Sequence, residues 1–196
     1  TIDGAGLVDF NGAITLSGST ITNTGVNTIT ASNTLTLGGA ATLTNITNSG
    51  TLALGGNVLT INGATASSIG GTITAAANGG ITVNGASTAL TWDPSVQTGF
   101  SAGTVTLTDG SITGTADKFS EGTFSLAGSK KLTMGAGTFG GAAIDGAGLV
   151  DFNGAITLSG STITNTGVNT ITASNTLTLG GAATLTNITN SGTLAL

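Results

Sequence analysis

Carboxylates are the side chains of this sequence best suited to act as acids, bases or metal ligands. The chain has no histidine, no cysteine and no arginine, and its three basic residues are lysines. The acidic residues are Asp3, Asp9, Asp93, Asp109, Asp117, Glu121, Asp145 and Asp151. A carboxylate pair for general acid–base catalysis needs two acids within several ångströms of each other.

Asp117 and Glu121, in TADKFSEG, are the nearest acidic pair in sequence. We interpret this cluster as a solvated loop in which Lys118 balances the charge. Nothing in the chain resembles a nucleophile–base pair. The sequence therefore predicts no catalytic residues and no enzyme activity.

Two carboxylates, Asp3 and Asp9, flank the segment DGAGLVD, whose composition is typical of calcium-binding repeats. The segment matches neither the nonapeptide calcium pattern nor the EF-hand loop. We expect Asp3 to lie in a turn and Asp9 on a strand face, and we predict no metal site. The glycine-rich phosphate-binding motifs are also absent, so no cofactor is predicted.

The passage ALTWDPSVQTGF, residues 89–100, contains the only tryptophan and the only proline. Pro94 cannot donate a ladder hydrogen bond, so we expect regular structure to bulge or loop out here. An exposed Trp92, with Asp93 beside it, would be a contact point for a partner. We favour a Trp92 that folds back over the core.

Thr-x-Thr triplets, which are typical of ice-binding solenoids, begin at Thr20, Thr28, Thr34 and Thr42. Ice binding requires one triplet per coil on the same face. Spacings this short place successive triplets on successive faces. The pattern therefore argues against ice binding, which we retain only as a minor alternative.

The composition excludes several classes of function. Charged residues make up 6% of the chain, against about 25% in typical domains. Hydrophobic residues reach 38%, which is unlike the composition of disordered proteins. A net charge of −5 argues against partners with phosphate backbones or anionic membrane surfaces, and no apolar run is long enough for membrane insertion. The sequence predicts neither a nucleic-acid partner nor a membrane span.

Short alternating segments predict the elements that position these residues. In NTLTLGG, Leu35 and Leu37 would point to one side of a strand, and Thr34 and Thr36 to the other. Such runs are short and end at glycine- or asparagine-rich turns. Frequent β-branched residues and glycines disfavour helix. The sequence therefore predicts an all-β protein.

A long exact repeat organises the chain. Residues 2–54 recur without change as residues 144–196. We interpret residues 1–143 as one repeat unit and residues 144–196 as the start of a second, identical unit with no linker. The chain would then be a window of a longer tandem array. The alternative is an engineered extension of a single 142-residue domain.

A weaker period of roughly 20 residues lies inside the unit, as in solenoid repeats. TLTLGGAATLTN, which begins at Thr34, is echoed by TLALGGNVLTIN, which begins at Thr51. Hairpins in a sandwich or barrel remain an alternative. We favour a right-handed parallel β-solenoid, or β-helix, of roughly 20-residue coils, in which about seven coils form one unit. Stacked coils place like residues in vertical register, which explains the scarcity of charge.

Segments such as VDFNGAITLSG and TLTNITNSGTLALGGNVLTING resemble the passenger regions of large secreted bacterial adhesins. These are the filamentous-haemagglutinin-like and autotransporter-like β-helical proteins. The resemblance is one of composition and covers most of the chain. It implies export across an outer membrane and a long rod displayed at the cell surface or shed from it.

These features together predict an extracellular structural or adhesive rod of tandem units, located at the cell surface. The alternative is a self-assembling filament or sheath subunit of the cell surface. Expected partners are further copies, joined end to end or laterally through solenoid edges, and a host or neighbouring-cell surface. An uncapped solenoid end exposes unpaired strand edges, so both functions predict self-association.

Overall fold

Twenty-eight short strands alternate with turns along the chain in a computed structural model that describes residues 1–196. Every strand pairing is parallel and joins strands of successive coils, so the chain winds as a β-solenoid. This confirms the predicted all-β parallel solenoid. The helical segments are two 3₁₀ helices, Phe100–Ala102 and Ala116–Lys118. No helix has the length and apolar character needed to cross a membrane.

Each coil passes through three faces, which we number in chain order. Face 1 is a ten-stranded sheet of β1 (Val8–Phe10), β4 (Asn27–Ile29), β7 (Thr47–Asn48), β10 (Ser67–Ile69), β13 (Ala89–Trp92), β16 (Ser111–Thr115), β18 (Lys131–Gly135), β21 (Leu149–Phe152), β24 (Asn169–Ile171) and β27 (Ile188–Asn190).

Face 2 is divided into two sheets. The first contains β2 (Ala13–Leu16), β5 (Thr34–Leu37), β8 (Thr51–Ala53), β11 (Thr72–Thr74) and β14 (Val96–Thr98). The second contains β19 (Gly137–Gly140), β22 (Ala155–Ser159), β25 (Thr176–Leu179) and β28 (Thr193–Ala195).

Face 3 is a nine-stranded sheet of β3 (Thr20–Ile21), β6 (Ala41–Leu43), β9 (Val58–Ile61), β12 (Gly80–Val83), β15 (Thr104–Leu107), β17 (Thr123–Leu126), β20 (Ala143–Gly146), β23 (Thr162–Ile163) and β26 (Thr184–Leu185).

Face 2 is interrupted where a 3₁₀ helix replaces one strand. The helix Ala116–Lys118 follows β16 and packs against β19. Phe119 comes directly after it and is fully buried, with its ring centroid 5.0 Å from that of Phe124. An aromatic side chain thus fills core volume at the position where the strand is missing.

The repeat unit is a whole number of coils on face 1. The strand register leads from Asp9 to its copy Asp151 through Thr28, Thr47, Ser68, Thr91, Thr113 and Thr133. These are seven steps from strand to strand, so one unit forms seven coils and rises about 34 Å at about 4.8 Å per step. The predicted coil size and coil number are therefore both correct.

One hydrophobic core runs through both units. It consists of 38 buried residues that form a single cluster. The alternation predicted for β5 is observed, because Leu35 and Leu37 are buried while Thr34 and Thr36 are only half-buried. All six phenylalanines, at positions 10, 100, 119, 124, 139 and 152, lie in this core.

Burial of each coil depends on the coil stacked above it. Ile46 is fully buried, but its copy Ile188 is 38% exposed. In the same way Leu52 is fully buried and its copy Leu194 is 37% exposed. Residues 55–75 provide the next coil for the first copy, and no such coil follows the second copy in these 196 residues. A further coil would therefore bury the same residues again.

Candidate functional site

A groove of about 360 Å³, lined by polar residues and glycines, lies on the outer side of face 1. Its walls come from strands β13, β16 and β18 and from the residues that follow β13 and β21. The lining residues are Thr91, Asp93, Thr113, Gly114, Thr115, Thr133, Gly135 and Asn153. Two outward columns of the sheet thus form the groove, and no large apolar side chain enters it.

Glycine creates the depression between these columns. Thr115 is in register with Gly135, so one position of the outer column has no side chain. A Cβ added at Gly135 would have its nearest neighbour, the Gly114 carbonyl oxygen, at 3.5 Å, so the space above it is open. Gly114 differs, because a Cβ there would overlap the Trp92 carbonyl oxygen and lie 2.9 Å from the Phe119 ring.

Trp92, predicted as a partner contact if exposed, lies in the core and is fully buried. Its ring centroid is 5.5 Å from that of Phe100 and 5.4 Å from that of Phe124. The indole Nε1–H donates a hydrogen bond of 2.7 Å to the Lys118 carbonyl oxygen. This confirms the favoured interpretation of a Trp92 folded back over the core, because the aromatic pocket and this acceptor together hold the indole inside. Trp92 is therefore not an exposed contact point.

Asp93 is the exposed member of the predicted pair and lines the groove. Its Oδ1 lies 3.3 Å from Lys118 Nζ, which also donates to the Pro94 carbonyl oxygen at 3.2 Å. The corner from Trp92 to Val96 contains one residue more than the corner from Ile69 to Thr72 with which it is in register. This local bulge at Pro94 was predicted. Whether Asp93 contacts a partner stays a prediction.

The three lysines each form an ion pair with an aspartate on a neighbouring coil. Lys118 pairs with Asp93, Lys130 with Asp109 at 2.6 Å, and Lys131 with Asp151 at 2.7 Å. The partners of each pair lie about one coil apart in sequence. Opposite charges are thus stacked where like charges would repel. Lys118 was expected to balance Asp117 and Glu121, but its ion pair is with Asp93.

Asp109 is held in its charged form by two donors. Two groups lower the pKa of the Asp109 carboxyl below its ordinary value. The Lys130 ammonium has the larger effect, and the Gly110 backbone N–H has the smaller one. A lowered pKa in the folded state favours folding above the pKa of the unfolded state. That contribution is lost as the pH falls through the lower, folded-state pKa.

Substituting Lys130→Gln is expected to raise the pKa of Asp109 toward its ordinary value, because the main donor loses its charge. Carboxyl carbon chemical shifts followed by NMR during an acid titration measure this change. Lys131→Gln is the matched control and should leave Asp109 unaffected, since Lys131 pairs with Asp151. An unchanged pKa of Asp109 in Lys130→Gln would contradict the assigned cause.

The remaining acids are not assembled into a site. The copies of Asp3 and Asp9, which are Asp145 and Asp151, lie on β20 of face 3 and β21 of face 1. The turn at residues 147–148 therefore separates the two carboxylates onto different faces. Asp117 is exposed at the 3₁₀ helix. No three acidic side chains come close enough together to hold a metal ion.

The groove offers hydroxyl groups, one carboxylate and one amide to a ligand. These groups can donate and accept hydrogen bonds, but they form no nucleophile–base arrangement. Asn153 belongs to the second unit and is the copy of Asn11. Because the other lining residues belong to the first unit, the groove is complete only where one unit follows another. The Lys131–Asp151 ion pair spans the same junction.

Sequence reasoning found Asp93 but not the groove around it. An alignment of the coils would have placed Asp93, Thr115, Gly135 and Asn153 in one column. The intervals between these four residues are unequal, and this hid the column. Comparisons of the chain with protein-family models, with curated proteins and with solved structures find no match.

Proposed function

We propose that this chain is part of an extracellular, non-catalytic structural and adhesive rod built from tandem 142-residue units. The junction between the units is the observation that carries this proposal. Strands β18 and β21 pair across it with four residues in register, in the same parallel manner as strands within a unit. Consecutive units therefore extend one solenoid instead of forming separate beads.

A continuous core makes such a rod stiff. Phe139 and Ile144 lie on either side of the junction and are both fully buried in the same cluster. Stability in stacked-coil proteins comes mainly from contacts between neighbouring coils. Each added unit then contributes both length and its own stabilising contacts, with no flexible linker at which the rod could bend.

The adhesive part of the proposal rests on the groove. It recurs once per junction, so an array would present one groove about every 34 Å. Many weak contacts at regular spacing can yield strong attachment through effective concentration. The non-catalytic part rests on the carboxylates, of which three are paired with lysines, and on a sequence without histidine or cysteine.

A filament or sheath subunit is the second candidate, and it is favoured by the exposed copies Ile188 and Leu194. Their counterparts in the first copy are buried by the following coil. That coil could come from a second chain that stacks on the first, or from a continuation of the first chain. The two candidates predict the same fold and differ in whether stacking stops at a tip.

Arrays of one, two and four units test the rod directly. We expect the maximum dimension, measured by small-angle X-ray scattering, to grow by about 34 Å per unit. The control joins the same units through flexible Gly/Ser linkers, whose end-to-end distance grows only about as the square root of their length. If the maximum dimension of the uninterrupted arrays increases with unit number in the same way as that of the linked control, the units do not form a continuous solenoid.

Electron microscopy of the source cells, labelled with an antibody against residues 55–143, then separates the two candidates. Label along thin fibres that stand off the surface and end in an unlabelled tip supports the adhesive rod. A continuous labelled coat or labelled filaments of unlimited length favour the assembly subunit. Label confined to the cytoplasm overturns both.

A further inference from the structure

Face 3 carries a double column of uncharged hydrogen-bonding side chains over its first five coils. We call it the threonine array. Its first column is Thr20, Thr42, Thr60, Thr82 and Thr106, which the strand register places side by side. Its second column, two residues further along each coil, is Thr22, Thr44, Asn62, Asn84 and Thr108. The residues between the columns, such as Leu43 and Ile61, are fully buried, so both columns point outward.

The geometry of the strands fixes the lattice of this array. Neighbouring strands are about 4.8 Å apart, and side chains two residues apart along a strand are separated by about 6.6 Å. Threonine is β-branched and restricted at χ1, so each methyl and hydroxyl tends to be held in the same orientation from coil to coil. Five coils therefore present a regular two-dimensional pattern of methyl and hydroxyl groups about 19 Å long.

The hydroxyls of the array remain largely available to solvent. No side chain of the first column forms a hydrogen bond within the protein. In the second column Thr44 Oγ1 donates to the Ile21 carbonyl oxygen at 3.1 Å, and Thr22 Oγ1 makes a long contact of 3.5 Å with the Ile2 carbonyl oxygen. Each free hydroxyl can donate one hydrogen bond and accept two, as a water molecule can do in a lattice.

The other two faces also carry outward threonines, but neither has an uninterrupted double column over five coils. On face 1 one column is uncharged over six coils, but Asp9 and Asp151 lie at its ends, and Asp93 and Lys131 lie beside it; its members are Thr28, Thr47, Ser68, Thr91, Thr113 and Thr133. On face 2, Ala13 and Val96 end the column of Thr34, Thr51 and Thr72, and Ala53 interrupts the column of Thr15, Thr36, Thr74 and Thr98. Face 2 is also broken by the 3₁₀ helix. A charged group retains its own hydration shell and would disrupt ordered water at the surface.

We infer that the threonine array of face 3 binds the surface of ice. The oxygen atoms of hexagonal ice repeat at distances near both spacings of the array. A macromolecule whose surface has no regular repeat would not match a lattice of uncharged hydroxyls in two directions. Ice provides that match, and the array contains no group that opposes it.

The structure also changes what the Thr-x-Thr triplets indicate about ice binding. Thr28-Ile29-Thr30 and Thr34-Leu35-Thr36 do lie on faces 1 and 2, as expected from their spacing. The chain, however, returns to face 3 once per coil and places a Thr-x-Thr or Thr-x-Asn triplet there each time for five coils. The requirement of one triplet per coil on one face is thus met. Ser125 and Asp145 end the array in the next two coils.

Thermal hysteresis of purified residues 1–196, measured in a nanolitre osmometer, tests the inference. We expect a hysteresis gap and faceted ice crystals where buffer gives round ones. Thr60→Lys, at the centre of the array, should reduce the gap to the buffer value. Thr36→Lys is the matched control, because Thr36 is an equally half-buried outward threonine at the centre of face 2.

A second variant keeps the test sound if Thr60→Lys disturbs the fold. Asn62 is exposed, so Asn62→Lys should fold normally, as checked by far-ultraviolet circular dichroism, and still abolish the gap. A wild-type protein with no hysteresis overturns the inference. Equal losses in Thr36→Lys and Thr60→Lys, with both proteins folded, also overturn it. None of these results bears on whether the units form a continuous rod.

Discussion

Substituting Trp92→Ala is expected to lower the free energy of unfolding by about 3–5 kcal/mol, the largest effect of any single change that we predict. The indole is fully buried against Phe100 and Phe124, so its removal leaves a large cavity between the coils. Urea denaturation followed by far-ultraviolet circular dichroism measures the loss without relying on the only tryptophan as a probe.

Trp92→Phe is the control for this substitution. It keeps an aromatic ring in the pocket but removes the hydrogen bond to the Lys118 carbonyl oxygen. That oxygen still accepts a hydrogen bond of 2.7 Å from Gln97 Nε2, so it does not become an unsatisfied buried acceptor. We therefore expect a loss well below that of Trp92→Ala. A loss of under about 1 kcal/mol in Trp92→Ala itself would contradict the buried position of the indole.

Gly71→Ala is expected to destabilise the protein by about 3 kcal/mol, the upper part of the usual range for overpacking. A Cβ at Gly71 would overlap the Gly50 carbonyl oxygen and lie 2.9 Å from the Gly50 nitrogen. Both atoms belong to the backbone of the coil beneath and are held by the ladder, so neither can rotate away. The stack would have to open locally at this corner, and urea denaturation measures the cost.

The neighbouring glycine provides a matched control. A Cβ at Gly70 would have the Asn48 carbonyl oxygen as its nearest neighbour, at an ordinary distance of 3.5 Å. Gly70→Ala restricts the unfolded chain as much as Gly71→Ala does, so the comparison isolates the clash in the folded state. We expect Gly70→Ala to change stability by no more than about 0.5 kcal/mol. Equal effects of the two substitutions would show that the coils are not in close contact at this corner.

The fold could be predicted because the sequence has two periods: an alternation of apolar and polar residues along each strand, and a repeat of roughly 20 residues from coil to coil. The same alternation places Val105, Leu107 and Leu126 on the inward side of their strands, and all three are buried. It also places Ile14 and Leu16 inward, but they are only half-buried because these 196 residues provide no coil beneath the first one. Their copies Ile156 and Leu158 are buried. The pattern thus encodes direction, whereas the extent of burial depends on the neighbouring coil.

The sites were harder to predict because they depend on register between coils. Coil lengths on face 1 are unequal, since Thr28 pairs with Thr47 whereas Ser68 pairs with the more distant Thr91. A simple period therefore does not reveal which groove residues are neighbours. The position of Trp92 depended on a ring pocket made by aromatic residues from other parts of the chain. Linear spacing of Thr-x-Thr triplets likewise hid the fact that the chain returns to the same face once per coil.

The whole number of coils per unit has a consequence for how such a gene could change. Asp9 and Asp151 occupy one column of face 1, seven steps apart, so loss or gain of a unit by recombination between identical copies leaves every remaining neighbour in register. A change of half a coil would instead bring unlike faces together. The identity of residues 2–54 and 144–196 provides the homology that such recombination needs. If the chain is part of a rod, as we propose, the length of that rod would then change in steps of about 34 Å, and the contacts between coils would stay the same.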